Sequence, residues 1–132
     1  MPFTPEMSVK VQLFDQEHKR LIDLTESLYA ALKEDKGRIS VAKLLEELEH
    51  YTKSHFVNEE DLMQKYSYSG YDKQKRQHDE FISKVAELKQ SYNEGNSKVP
   101  SQAFDILYAW ISHHILKVDA EYGEFFNKRG IR

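Results

Sequence analysis

Apolar residues return at helical spacing in four separate runs of this chain, and turn-forming residues break off each run. Stripes of that period are buried only against other helices, so the chain is expected to be all-α. The first run, about 15–34, puts Phe14, His18, Leu21, Ile22, Thr25, Leu28, Tyr29 and Leu32 on one face and is expected to stop at Asp35, Lys36 and Gly37. The second, about 40–65, is expected to start with Ser40 as its N-cap. It aligns Val41, Leu44, Leu45, Leu48, Tyr51, Thr52, His55, Phe56, Glu59, Leu62 and Met63. Tyr66 to Gly70 reads as a loop. The third, about 72–92, carries Gln74, His78, Phe81, Val85 and Leu88, and Asn93 to Ser97 breaks it with Gly95. Pro100 suits the first turn of the fourth run, about 100–126, which lines up Ala103, Phe104, Leu107, Trp110, Ile111, His114, Ile115, Val118, Asp119, Tyr122, Phe125 and Phe126. Helices of roughly 30 to 38 Å with short links pack as antiparallel neighbours, so an up-down-up-down four-helix bundle is expected. Residues 1–13 fit none of these patterns and are expected to lie against the bundle as an extended arm. At 132 residues, 1–132 is read as a single domain.

Composition narrows the chemistry. Without cysteine there is no disulfide framework, thiolate zinc site or cysteine nucleophile, so any metal must be held by nitrogen and oxygen. The net charge of -3 comes from 19 basic and 22 acidic residues scattered along the chain, which leaves no basic stripe for nucleic acid. No apolar run approaches the ~18 to 20 residues that span a bilayer, so no membrane partner is expected. The opening MPFTPEMSVK lacks the basic and apolar regions of a signal peptide, and a cytoplasmic location is expected.

The decisive feature is polar residues on the wrong face. Glu59 and Asp119 sit on apolar stripes, where a buried carboxylate costs several kcal/mol unless it is compensated. His18, His55, His78 and His114 occupy the same stripes, one per helix. A pair of divalent metals would satisfy all six, since imidazole and carboxylate suit iron, manganese or zinc. The alternative is a carboxylate paired with a protonated histidine. His55 and Glu59, four apart, point to the same place, about 5 to 6 Å apart at Cβ. His114 and Asp119, five apart, are offset by slightly more than one α-turn, which suits ligands on adjacent metals. His50 and His113 fall off the stripes and read as surface or supporting groups, and the lone Glu47–His50 pair lies on the polar face.

These residues resemble the bacterial hemerythrins, oxygen-binding di-iron bundles. The similarity spans FTPEMSV, FDQEHKRL around His18, HYTKSHFVNEE around His55 and Glu59, HDEF at His78, and WISHHILKVDAEY around His114 and Asp119. The resemblance implies that His18 and His55 bind one iron, that His78 and His114 bind the other, and that Glu59 and Asp119 bridge them with a solvent-derived oxo or hydroxo group. It also implies reversible dioxygen binding as hydroperoxide at the His18–His55 iron. Leu21, Phe56, Met63, Phe81, Trp110, Ile111, Ile115 and Val118 are expected to wall the oxygen pocket, in a monomeric stand-alone carrier, store or scavenger. The sequence departs from the family at a ligand: the third helix usually reads H-x-x-x-H, and the earlier position is Gln74. The iron on that side is bound through Gln74, completed by water or left with an open position. A more accessible iron would favour a second reading, a redox enzyme of peroxide or nitric oxide chemistry. Phe3 stands where the family usually has Trp, and Lys10 where it often has Gly.

Overall fold

The computed structural model describes residues 3–33 and 38–132, and the side chains of 3–33 and 41–132. Four helical rods build the fold, and there is no strand among the described residues: α1 (Gln12–Lys33), α2 (Arg38–Lys65), α3 (Tyr71–Asn93), and a fourth rod made of α4 (Val99–Ala109), a π-helical segment (Trp110–Val118) and α5 (Asp119–Asn127). The molecule is a four-helix bundle in which α1 packs on α2 and α4, and α3 packs on α2 and α4. Pro100 falls in the first turn of α4, where its missing N–H is no loss. No helix among the described residues is long and apolar enough to cross a membrane.

Several local expectations give way. The second helix has begun by Arg38, so Ser40 lies inside it rather than capping it. The expected stop at Asp35 to Gly37 lies outside the described residues. Tyr29 and Leu32 face outward, 49% and 38% exposed, while Leu24 and Ala31 turn inward. Tyr29 packs its ring against Phe104 at 5.3 Å, so it borders the buried face rather than entering it. The arm is shorter and less extended than expected: Pro5–Met7 forms a 3-10 turn against the π segment, and α1 starts at Gln12. Met7, Val9 and Val11 are buried, which ties this strap to the bundle. Lys10 adopts a φ of 57°, the left-handed region that glycine favours. Gly123 lets the strap approach α5, because a Cβ there would meet the Val9 carbonyl oxygen at 2.7 Å.

The core divides into two apolar clusters. The larger contains Leu21, Phe56, Phe81, Ile111 and Ile115, and the smaller contains Val9, Val11, Phe14, Met63, Tyr122 and Phe126. Along three rods the order is the same: Phe14, His18, Leu21 on α1; Met63, Glu59, Phe56 on α2; Tyr122, Asp119, Ile115 on the fourth rod. A polar layer therefore lies between two greasy ones.

Candidate metal centre

All six residues expected at the centre, with Gln74, are inside that layer. His18, Glu59, Gln74 and His78 are fully shielded, and His55, His114 and Asp119 are at most 3% exposed. His50 and His113 are exposed. The four rings present Nε2 to two carboxylates. Glu59 Oε1 lies 3.2 Å from His55 Nε2 and 3.3 Å from His78 Nε2, while Glu59 Oε2 is 3.5 Å from His18 Nε2. Asp119 Oδ2 lies 3.3 Å from His18 Nε2, and its Oδ1 is 3.0 Å from His114 Nε2. Each carboxylate thus faces rings from both sides of the bundle. Tyr122 donates its hydroxyl to Glu59 Oε2.

The backbone explains how His114 and Asp119 converge. An α-helix would leave residues five apart rotationally offset, as the sequence suggested. Instead the rod widens into a π segment, and the Asp119 N–H donates to the His114 carbonyl, an i→i+5 bond. The wider turn brings the two side chains onto one line.

Sequence reasoning passed over the groups that aim the rings. Glu17 Oε1 accepts a hydrogen bond from His55 Nδ1–H at 2.9 Å, Glu60 Oε2 one from His78 Nδ1–H at 2.7 Å, and Gln77 Oε1 one from His114 Nδ1–H at 2.7 Å. Each helix orients the histidine of the next helix in the chain. With Nδ1 protonated, Nε2 is left as a lone-pair donor, the tautomer a metal requires. Glu17 is itself held by the Asn58 amide at 2.9 Å, and Glu60 by Lys75 at 3.5 Å. The available signal was adjacency: Glu17, Glu60 and Gln77 each sit one residue from a stripe ligand, on the flank that meets the neighbouring helix.

The electrostatics favour positive charge within the cluster. Burial works against charge on His18, yet hydrogen bonds and charges from Asp119 and Glu59 raise it to about 10. Burial likewise opposes charge on His78, but hydrogen bonds to Glu59 and Glu60 raise it to about 9. His55 is raised despite its burial, chiefly by the Glu59 charge. Glu59 stays well below the usual carboxylate range: burial resists its ionisation, and the charge of His55 with hydrogen bonds from His18, His55 and His78 prevails. Asp119 is also lowered, against burial and the Glu59 charge, by His114 and His18.

Donor chemistry tests the fit to metal. His18 Nδ1 and Nε2, Glu59 Oε1, Gln74 Oε1, His78 Nε2, His114 Nε2 and Asp119 Oδ2 are all buried without a hydrogen-bond partner. That many orphaned donors and acceptors around one point is costly in a closed protein interior and is relieved by a cation. His18, His55 and Glu59 bring one ligand atom each within 4.8 Å of one another.

The expected pocket wall is only partly sealed. Phe56 stacks on the His78 ring at 3.9 Å and Trp110 on the His114 ring at 3.8 Å, with Phe81 stacked on Trp110 at 4.3 Å. Leu21, Ile111 and Ile115 are buried on the same side, and Met63 packs in the other cluster with Tyr122. Trp110 and Val118 are only half-buried and line a surface pocket of about 500 Å³ with Gln77 and Lys84.

Fold and centre together define a helical bundle built around a metal-ligand cluster. The profile described as "Hemerythrin HHE cation binding domain" matches residues 9–126, and the chain belongs to that family. It is 32% identical over 117 residues to a bacteriohemerythrin of Pseudomonas aeruginosa, covering 89% of this chain and 75% of the relative. It is 29% identical over 123 residues to a myohemerythrin of Sipunculus nudus, covering 92% and 91%. A crystal structure of a hemerythrin point mutant superposes with a TM-score of 0.87 at 30% identity, covering 94% of this chain and 95% of that one.

Proposed function

We propose that this chain holds two iron ions and binds dioxygen reversibly, as a carrier, store or scavenger. His18 and His55 would hold one ion, His78 and His114 the other with Gln74 beside them, and Glu59 and Asp119 would serve both. The observation that carries this reading is the placement of each carboxylate between rings of the two sides: Glu59 between His55 and His78, Asp119 between His18 and His114. Ferrous iron, when bound there, would supply the electrons that dioxygen binding needs. The names of the bacterio- and myohemerythrin relatives agree with it.

The protein's own contribution is positioning and dryness. Glu17, Glu60 and Gln77 fix three rings with Nε2 inward, so little reorganisation accompanies ligation. Tyr122 holds Glu59 Oε2 by its hydroxyl proton, which aims the bridging carboxylate. The apolar clusters on either side exclude water from the polar layer, so a small apolar ligand that reached it would be held in a dry setting.

A second reading, a redox enzyme acting on peroxide or nitric oxide, draws on Gln74, because an amide is a weaker donor than imidazole. Stopped-flow mixing of the reduced, iron-loaded protein with oxygen separates them. An oxygenated spectrum that reverses under vacuum supports carriage, and immediate oxidation with peroxide turnover supports the enzyme.

A further inference from the structure

The Gln74 amide is fully buried, and its Nε2 donates to Asp119 Oδ1 at 3.0 Å. The orientation follows from that contact: a carboxylate oxygen accepts and an amide NH2 donates, so the NH2 is the end turned toward Asp119. The carbonyl Oε1 is consequently turned away from that oxygen, and it finds no donor. A buried carbonyl with no hydrogen-bond partner, one amide's width from a carboxylate that also touches His114, is placed to accept a cation. Imidazole at this position, the residue usual in the family, would bring a nitrogen donor in place of that carbonyl oxygen.

Resting on the two-metal reading above, we propose that Gln74 is the residue that sets metal selectivity: through Oε1 it makes the His78–His114 position oxygen-rich, so that hard divalent ions of the manganese class compete there with the iron class. The His18–His55 position has no such substitution. Any nitrogen and oxygen site binds iron-class ions more tightly than manganese, but the margin is set by its nitrogen donors and shrinks when a carbonyl replaces an imidazole. The two positions therefore discriminate differently, and mixed manganese–iron loading is accessible to this chain.

The test is equilibrium titration of the metal-free protein with Mn(II) and, separately, with Co(II) as a coloured substitute for Fe(II). Wild type is compared with Gln74→His and Gln74→Leu, reading bound Mn(II) by electron paramagnetic resonance, Co(II) by its d–d absorption, and stoichiometry by native mass spectrometry. Wild type is expected to take two ions of either metal. Gln74→His is expected to tighten the second Co(II) step about tenfold or more while changing the second Mn(II) step by less than about threefold. Gln74→Leu is expected to lose the second ion and keep the first. Equal tightening of both metals by Gln74→His, or a second ion held by Gln74→Leu as tightly as by wild type, overturns the inference and leaves the two-metal reading standing. A wild-type protein that takes no second ion of either metal overturns both. Far-UV circular dichroism checks folding, and if Gln74→Leu does not fold, the histidine variant decides alone.

Discussion

The two sides of the centre are built with opposite strengths. The His18–His55 side rests on regular α-helix, where His55 and Glu59 meet by ordinary four-residue spacing. Its weakness is the His18 ring, whose Nδ1 has no acceptor. On the other side both rings are pinned, His78 by Glu60 and His114 by Gln77, yet the buried residue beside them is the Gln74 amide, and the backbone widens into a π segment that brings Asp119 in line. One side has the better frame and a loose ring; the other has secured rings and an amide where an imidazole would be the stronger donor. Donor identity and donor orientation are thus separable properties, and this chain distributes them unequally.

The largest effect should come from the residues common to both sides. Glu59→Ala removes the acceptor facing His18, His55 and His78 and leaves the Tyr122 hydroxyl unpaired. The variant should hold less than one metal ion per chain, and the metal-free protein should lose about 2 to 3 kcal/mol in urea unfolding. Retention of one tightly held ion would show that the two sides are more independent than the geometry implies.

Next come the orienting carboxylates, which separate the sides. Glu17→Ala frees the His55 ring, and Glu60→Ala frees that of His78. Each should weaken one of the two binding steps by about 10- to 100-fold in chelator competition and spare the other. If both variants weaken the same step, the division of the centre into these halves is wrong.

Acidity gives a third comparison. His18 and His78 are raised from 6.5 to about 10 and about 9. Their stabilising contribution to the metal-free protein is complete below the unfolded value and is lost as the pH rises through those folded values. The melting temperature of the metal-free protein should accordingly fall between pH 6.5 and about 10. Metal must displace the same protons, so the rise in melting temperature on adding metal should be greater near pH 8 than near pH 6, to about one unit. An equal rise at both would count against imidazole ligation.

The smallest effect should treat the sides alike. Lys10→Gly relieves a left-handed backbone at φ 57° but gives the unfolded chain more freedom. A net gain of about 0.5 kcal/mol is expected, with both metal-binding steps unchanged. A shift in either step would tie the strap to the centre.

The sequence showed the buried polar cluster because a charged or imidazole side chain on an apolar stripe contradicts its surroundings. His18, His55, Glu59, His78, His114 and Asp119 were legible for that reason, and Gln74 for its place on the same line. Glu17, Glu60 and Gln77 were not, since a polar residue beside the stripe looks like solvated surface until the neighbouring helix is placed against it. The π segment was hidden too: WISHHILKV holds no glycine or proline to mark an interruption, and only the convergence of His114 and Asp119 in space reveals the wider turn. Outward-facing Tyr29 and Leu32 mark the opposite error, where periodicity alone extended the core too far.

Ligand candidates run from His18 on the first rod to Asp119 on the last, and the tyrosine that steadies Glu59 comes later still, at Tyr122. During synthesis the nascent polypeptide exposes three imidazoles and one acid long before the final rod leaves the ribosome. The cluster cannot close until that rod docks, so any ion held there as proposed would be enclosed only after the last rod is made, and a translation product halted before Asp119 would present only an open half-cage.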